Sequence, residues 1–119
     1  MYIIAGSSNP PLAKKIANKL GTTTKSKKFQ LIPIEISKFA NDEKRIWIND
    51  NQLLKNQEVC LIQSFNAPVD EHIIETLLII DALERLGAKS VTLIIPWLGY
   101  SLQDKVFRPG EAIAAKVVA

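Results

Sequence analysis

Apolar and polar positions change along the chain in a pattern that predicts strands and helices in alternation. Short apolar runs at Tyr2–Ala5 and Val59–Ile62 are typical of strands covered on both faces. Apolar side chains recur at helical spacing over Leu12–Leu20, which predicts an amphipathic helix that Gly21 ends. The chain therefore opens with a strand, a short loop and a helix.

The middle of the chain predicts two more strands on either side of a polar stretch. Gln30–Ile36 alternates, with its isoleucines on one side. Pro33 favours an edge position for this strand, because proline has no amide hydrogen to donate. Arg45–Ile48 predicts the next strand, and the polar residues Lys38–Lys44 connect the two.

The remaining sequence predicts the longest helix and three further elements. The helix begins at Val69 or Asp70 and runs to about Leu86, with Gly87 after its C-terminal cap. The elements that follow are a buried strand over Val91–Ile95, a loop over Pro96–Gly110 and a helix from Glu111 to Ala119. The predicted order is strand, helix, three strands, helix, strand, loop, helix. This order indicates one α/β domain with parallel core strands.

Composition excludes several classes of protein. The 119 residues are 47% hydrophobic and 23% charged, which suits one globular core and not a disordered chain. Apolar runs such as Leu77–Ile80 fall far short of the ~20 residues of a membrane span. The N-terminus lacks the basic and apolar regions of a signal peptide. Cys60 is the only cysteine, so we expect no internal disulfide and a cytoplasmic location.

Charge is distributed unevenly between the two halves of the chain. Residues 1–60 carry 10 basic and 5 acidic side chains, whereas residues 61–119 carry 5 and 7. Lys25, Lys27 and Lys28 form the densest basic cluster, and no aromatic side chains are interleaved with them. We interpret the cluster as a solvated loop and expect no nucleic-acid partner.

Loops at the carboxyl ends of parallel strands are the usual ligand sites of such folds. The Gly6–Asn9 loop resembles a phosphate turn only weakly, because it lacks glycine-rich spacing, and a plain strand-to-helix turn is favoured. The Gln63–Pro68 loop leads to His72, the only histidine. No nucleophile stands at a recognisable spacing from it, so we expect His72 to be exposed and structural.

Two segments carry chemistry suited to a nucleotide. In the loop after the last strand, Gln103 can bind a base edge, Asp104 can orient a cation and Lys105 can meet a phosphate. Tyr100 in the same loop is either a stacking surface or, as we favour, part of the core.

The second segment lies in the polar stretch between the middle strands. Phe39 offers a face for base stacking, and Asn41 and Glu43 offer acceptors for an exocyclic amine. From chemistry alone, a hairpin-like turn between strands is the favoured alternative.

Five segments, in order and at compatible spacing, resemble the N-terminal half of the ribose-phosphate pyrophosphokinase (phosphoribosyl pyrophosphate synthetase) family. They are Ile4–Ala13, Phe39–Glu43, Gln63–Pro68, Ile95–Lys105 and Ala112–Ala119. The resemblance implies a phosphoribosyltransferase-like three-layer α/β domain, with a mostly parallel sheet and helices on both faces. It implies that residues 1–119 are the N-terminal domain and that the C-terminal domain is absent.

The resemblance also implies an activity and a site. The full-length enzyme would transfer the β,γ-diphosphoryl group of ATP to the 1-hydroxyl of ribose 5-phosphate, with Mg²⁺, as a homo-oligomer between dimer and hexamer. Adenine would lie between two subunits, one contributing the Phe39 segment and the other the Gln103 segment. The ATP-binding residues so implied are Phe39, Asn41, Glu43, Gln103, Asp104 and Lys105.

The chain departs from the family pattern in two ways. Leu102 stands where the family usually has an arginine that binds ATP phosphates, and Arg108 is the candidate replacement. The family's metal-binding, catalytic and ribose-5-phosphate segments would lie beyond Ala119, so we expect no catalytic or metal residue here and an inactive chain by itself. Leu102 favours one alternative, a non-catalytic regulatory paralogue that assembles with the active enzyme. A free-standing nucleotide-binding module is a third.

Overall fold

A computed structural model describes residues 1–23, 29–49 and 52–119, so the lysine cluster at 25–28 lies outside the described residues. Within them, the helices and strands follow the predicted order with one additional strand. In chain order they are β1 Tyr2–Ala5, α1 Pro10–Thr23, β2 Gln30–Ile32, β3 Glu35–Lys38, β4 Lys44–Trp47, β5 Glu58–Ile62, α2 Val69–Arg85, β6 Ser90–Ile94 and α3 Ala114–Val118. No helix of this described part has the length and apolar character needed to cross a membrane.

The main sheet is parallel and has four strands in the order β2-β1-β5-β6. Ile4 lies opposite Ile32 and Leu61 in this sheet, which aligns the carboxyl ends of β1, β2 and β5. β3 and β4 pair separately as an antiparallel hairpin. The predicted mostly parallel α/β sheet is therefore confirmed.

Helices cover both faces of the sheet because alternate strand residues point to opposite sides. The core on the α2 side is formed by Ile4, Ile32, Ile48, Leu54, Val59, Leu61, Ile79 and Leu83. The core on the α1 side is formed by Ile3, Ala13, Ala17, Cys60 and Ile62. Burial also raises the pKa of the free Cys60 thiol above its ordinary value. The three-layer arrangement is confirmed.

The predicted strand over Gln30–Ile36 is wrong as a single element. It divides at Pro33 into β2, which pairs with β1, and β3, which pairs with β4. Proline cannot donate to a ladder, so the chain leaves the main sheet there. The predicted edge position is correct, because β2 is an outer strand of the sheet.

Three other features of the elements differ from the prediction. Gly21 does not end α1, which continues to Thr23, and the Thr22 hydroxyl donates to main-chain carbonyls one turn back. β6 is not the predicted buried strand, because Val91 and Leu93 are only half-buried while Thr92 and Ile94 on the opposite face are exposed. The last helix begins at Ala114 rather than Glu111, because residues 108–111 close a turn before it.

Candidate functional site

The Phe39–Glu43 segment is the loop of the β3–β4 hairpin, so the hairpin-like turn is correct as a description of its backbone. The Asp42 amide donates to the Phe39 carbonyl at 3.0 Å, and the Phe39 amide donates to the Glu43 carbonyl at 2.8 Å. Asp42 has a φ of 69°, a left-handed conformation that aspartate tolerates well. The Asn41 side-chain oxygen accepts the Glu43 amide at 3.3 Å. These bonds give the loop a defined shape.

The hairpin loop leaves its chemically useful side chains accessible. The Phe39 ring is 52% exposed, and the Arg45 guanidinium lies 5.8 Å from its centroid. The side chains of Asn41 and Glu43 are also exposed. An exposed ring beside amide and carboxylate groups can stack on a planar heterocycle and bind its polar edge.

Lysines at both ends of the hairpin loop bind helix α2. Lys38 Nζ lies 3.3 Å from Glu71 Oε2. Lys44 Nζ lies 2.8 Å from Glu75 Oε2 and 3.4 Å from Glu71 Oε2. The hydrogen bond and charge of Lys38, assisted by Lys44, lower the pKa of Glu71 below its ordinary value. The loop is thus held against α2 by ion pairs at its two ends.

The Glu75 carboxylate is fully buried and fully bonded. It accepts the Ser7 amide and hydroxyl at 2.7 Å each and the Gln63 side-chain amide at 2.8 Å, besides Lys44. Burial alone would raise the pKa of Glu75, but the bonds from Lys44 and Ser7 outweigh it and lower that pKa. Burial alone would lower the pKa of Lys44, but Glu75 and Glu71 raise it. Both groups therefore stay charged at neutral pH.

The turn after β1 is bound to the same network. The Gln63 side-chain oxygen accepts the Ser8 amide at 3.1 Å, and the Ser8 hydroxyl accepts the Ser64 amide at 2.8 Å. Because Glu75 and Gln63 occupy the Ser7 and Ser8 amides, the geometry favours a plain strand-to-helix turn over a phosphate loop.

The sequence interpretation did not find Glu75 or Lys44. Glu75 falls on the buried stripe of α2 together with His72, Ile79 and Leu83. A carboxylate on an otherwise buried helical stripe was the available signal, because such groups are seldom buried unless they are paired.

His72 is buried, so the prediction that it is exposed is wrong. Its Nδ1–H donates to the Asn66 carbonyl at 2.8 Å, across the cis peptide bond between Ala67 and Pro68. The Thr76 hydroxyl donates to the His72 carbonyl at 2.7 Å. The histidine therefore ties the loop after β5 to the first turns of α2.

The loop after β6 packs against the start of α2. A Cβ on Gly99 would lie 2.6 Å from Val69 Cγ1 and 2.9 Å from the Phe65 carbonyl, so only glycine permits this approach. Tyr100 is 41% exposed and donates its hydroxyl to the Asp70 carboxylate, which raises the pKa of Tyr100. The favoured core placement of Tyr100 is therefore wrong.

The other predicted site residues lie further along this loop. Asp104 and Lys105 are exposed, and Gln103 is partly buried. The main-chain carbonyl of Gln103 accepts the Ala115 amide at 3.1 Å. Lys105 Nζ lies 5.5 Å from the Phe107 centroid. The Leu102 side chain is 86% exposed.

The two predicted segments differ in their relation to the groove between the hairpin and α2. Glu43 lines a groove of about 460 Å³ between the hairpin and α2, together with Asp42, Lys44, Asp70, Glu71, Ile74 and Leu78. None of residues 103–105 lines it. In the parts of the chain described here, no three His, Cys, Asp or Glu side chains are grouped as a metal site.

Comparisons with known proteins agree on one family. The profile described as the N-terminal domain of ribose phosphate pyrophosphokinase matches residues 1–119. The chain is 42% identical to the ribose-phosphate pyrophosphokinase of Oceanobacillus iheyensis over 119 residues, which is 100% of the chain and 35% of the relative. It is 39% identical to that of Fusobacterium nucleatum over 117 residues, which is 98% of the chain and 34% of the relative.

A solved structure gives the same result for the fold. Phosphoribosylpyrophosphate synthetase from Mycobacterium smegmatis superposes with a TM-score of 0.86 and 31% identity, covering 99% of this chain and 37% of that one. The chain thus spans about a third of the length of the curated relatives it matches.

Proposed function

This chain belongs to the family formed by the N-terminal domain of ribose-phosphate pyrophosphokinase, and from that premise we propose that it binds the adenine of ATP and supports oligomerisation. The whole protein would make 5-phosphoribosyl 1-pyrophosphate from ATP and ribose 5-phosphate, in the cytoplasm, for nucleotide biosynthesis. Mg²⁺ would arrive on the ATP phosphates, where it neutralises charge during diphosphoryl transfer.

The observation that carries this proposal is the anchored, accessible hairpin loop. Phe39 would stack on adenine, while Asn41 and Glu43 would accept hydrogen bonds from its exocyclic amine. Because the buried ion pair between Lys44 and Glu75 already anchors the loop to α2, less conformational freedom is lost on binding.

The second half of the proposed site comes from a neighbouring copy of the chain. Gln103, Asp104 and Lys105 line no part of the Glu43 groove in their own copy, so the proposal requires a homo-oligomer. Lys105 would meet the phosphates as a point charge, and Gln103 would bind the base edge.

The test is ATP binding by Phe39→Ala, measured by titration calorimetry on the 119-residue chain. Loss of base stacking is expected to cost about 1–3 kcal/mol, which is roughly a 5- to 150-fold weaker Kd. Trp47→Ala is the matched control, because Trp47 lies on the same hairpin and is also 52% exposed. Equal losses in both variants, or none in Phe39→Ala, would contradict the proposal.

A second candidate function is that of a non-catalytic regulatory paralogue that assembles with an active enzyme. The observation that favours it is the exposed Leu102, which supplies no charge where the family pattern leads us to expect an arginine.

Leu102→Arg separates the two functions, and Leu98→Arg controls for the added charge elsewhere in the same loop. The ATP-binding function predicts that only Leu102→Arg tightens ATP binding, by about tenfold for a charge-assisted contact. An ATP affinity that stays undetectable in the full-length Leu102→Arg protein would favour the regulatory function.

A further inference from the structure

Glu75 joins three separate parts of the molecule through one carboxylate. It binds Lys44, the first residue of β4. It also binds Ser7 in the turn after β1 and Gln63 immediately after β5. The hairpin is outside the main sheet, so this carboxylate is a direct polar link between the hairpin and the carboxyl ends of the central strands.

The geometry of this link suits a fixed support. Four donors lie 2.7–2.8 Å from the two carboxylate oxygens, and two of them come from Ser7. Hydrogen bonds to a charged group are stronger than neutral ones, and burial strengthens them further. A partial rotation of the carboxylate would weaken its bond to the buried Gln63 side-chain amide, so the observed orientation is favoured.

The neighbouring ion pairs of the hairpin do not provide the same support. Glu71 receives Lys38 and Lys44 at 3.3 and 3.4 Å, and its side chain is 44% exposed. Exposed pairs of this kind contribute little because water and salt compete for both charges. The buried end of the anchor is therefore Glu75.

The structure assigns Glu75 as a positioning residue for the hairpin loop. Through Lys44 it sets where Phe39, Asn41 and Glu43 are presented. Through its bonds to Ser7 and Gln63, Glu75 also links the position of the hairpin loop to the residues that follow β1 and β5. The consequence for nucleotide binding rests on the proposed function, whereas the consequence for the loop itself does not.

The first test is hydrogen exchange on the ligand-free chain, comparing Glu75→Gln with the control Glu71→Gln. The reporters are the Phe39 and Asp42 amides, whose hydrogen bonds close the loop. Glu75→Gln should accelerate their exchange by about tenfold or more through local opening, while the amides of Ile4 and Leu61 change much less. Equal acceleration at hairpin and sheet, or the same effect in Glu71→Gln, overturns the assignment.

A second variant keeps this test decisive if Glu75→Gln does not fold. Lys44→Met removes the hairpin end of the link and leaves the bonds from Ser7 and Gln63 to Glu75 in place. It should loosen the same two loop amides. An unchanged exchange rate at Phe39 and Asp42 in Lys44→Met overturns the assignment.

The second test compares ATP with GTP, whose base carries a carbonyl where adenine carries an amine. A correctly placed loop distinguishes the two bases, so Glu75→Gln should reduce the ratio of ATP to GTP affinity by about tenfold. A purely structural role would weaken both nucleotides alike and overturn the positioning role. If the unaltered chain binds no ATP, the proposed function fails, while the exchange test still decides the role of Glu75.

Discussion

At the scale of single residues, Gly6 permits the closest packing in the network below the hairpin. A Cβ at this position would lie 2.2 Å from Gln63 Oε1, the atom that accepts the Ser8 amide. Gly6→Ala should therefore displace a buried side chain and lower the free energy of unfolding by about 1–3 kcal/mol. Urea denaturation followed by circular dichroism measures this loss.

Gly21→Ala is the matched control for that prediction. Gly21 lies within α1, and a Cβ there would meet nothing within 4 Å. Alanine should raise the free energy of unfolding by about 0.5–1 kcal/mol, because glycine is the weaker helix former. Changes of the same sign in both variants would show that steric contact with Gln63 is not the cause.

The residues of the candidate site differ in how well the sequence predicts them. The motif around Phe39, Asn41 and Glu43 identified an accessible loop without any knowledge of its neighbours. Glu75 was not identified, because its partner Ser7 lies 68 residues away in sequence. His72 was wrongly predicted to be exposed for a related reason. Its ring is bonded to the Asn66 carbonyl in the loop before α2, and the helical pattern of α2 carries no information about that loop.

At the scale of elements, α2 ends in a motif that depends on a left-handed residue. The Gly87 amide donates to the Glu84 carbonyl at 2.9 Å, and the Ala88 amide donates to the Leu83 carbonyl at 3.1 Å. Gly87 has a φ of +79°, and an added Cβ would meet only Lys55 Cγ at 3.5 Å. The cost of a side chain there is therefore backbone strain and not a clash.

Gly87→Ala should accordingly lower the free energy of unfolding by about 1–2 kcal/mol, the usual cost of a left-handed alanine. Gly87→Asn should lose less, because asparagine visits this conformation more readily. Chemical denaturation of the three proteins provides the comparison. Equal stability of the alanine and asparagine variants would argue against backbone strain.

Strand boundaries followed from the sequence only where local pattern and pairing agree. The alternation of Ile32, Ile34 and Ile36 continues across Pro33, although the pairing partner of the chain changes there. Before Pro33, β2 pairs with β1, and after it β3 pairs with β4. Alternation reports which side chains share a face, whereas pairing depends on distant segments. The same limit explains the wrong prediction for β6. Its apolar run indicated a strand buried on both faces, whereas one of its faces is exposed.

At the scale of the whole molecule, local periodicity predicted the order of strands and helices along the chain, and their alternation indicated a mostly parallel sheet. The proposed site is different, because its two segments lie on separate loops and only the Phe39–Glu43 segment contributes to the groove between the hairpin and α2. In the proposed site the two segments meet across two copies of the chain, and periodicity along one copy carries no information about that arrangement.

The charges beneath the hairpin make the stability of the whole molecule depend on pH in the acid range. The folded-state pKa of Glu75 is below its ordinary value of 4.5, as is that of the exposed Glu71. A carboxyl group with a lowered folded pKa contributes stability that is fully present above its unfolded pKa. That contribution is lost as the pH falls through the folded pKa.

Glu75→Gln should therefore be less stable than the unaltered chain at neutral pH, by about 2 kcal/mol for a lost charge-assisted bond, and this difference should shrink as the pH falls below 4.5. Protonated Glu75 resembles glutamine, which is why the two proteins converge in acid. Glu71→Gln should follow the unaltered chain closely, because its exposed pairs are screened by solvent. Urea midpoints measured between about pH 7 and pH 3 test this prediction. If the difference between Glu75→Gln and the unaltered chain stays constant with pH, the loss of stability comes from packing rather than from charge.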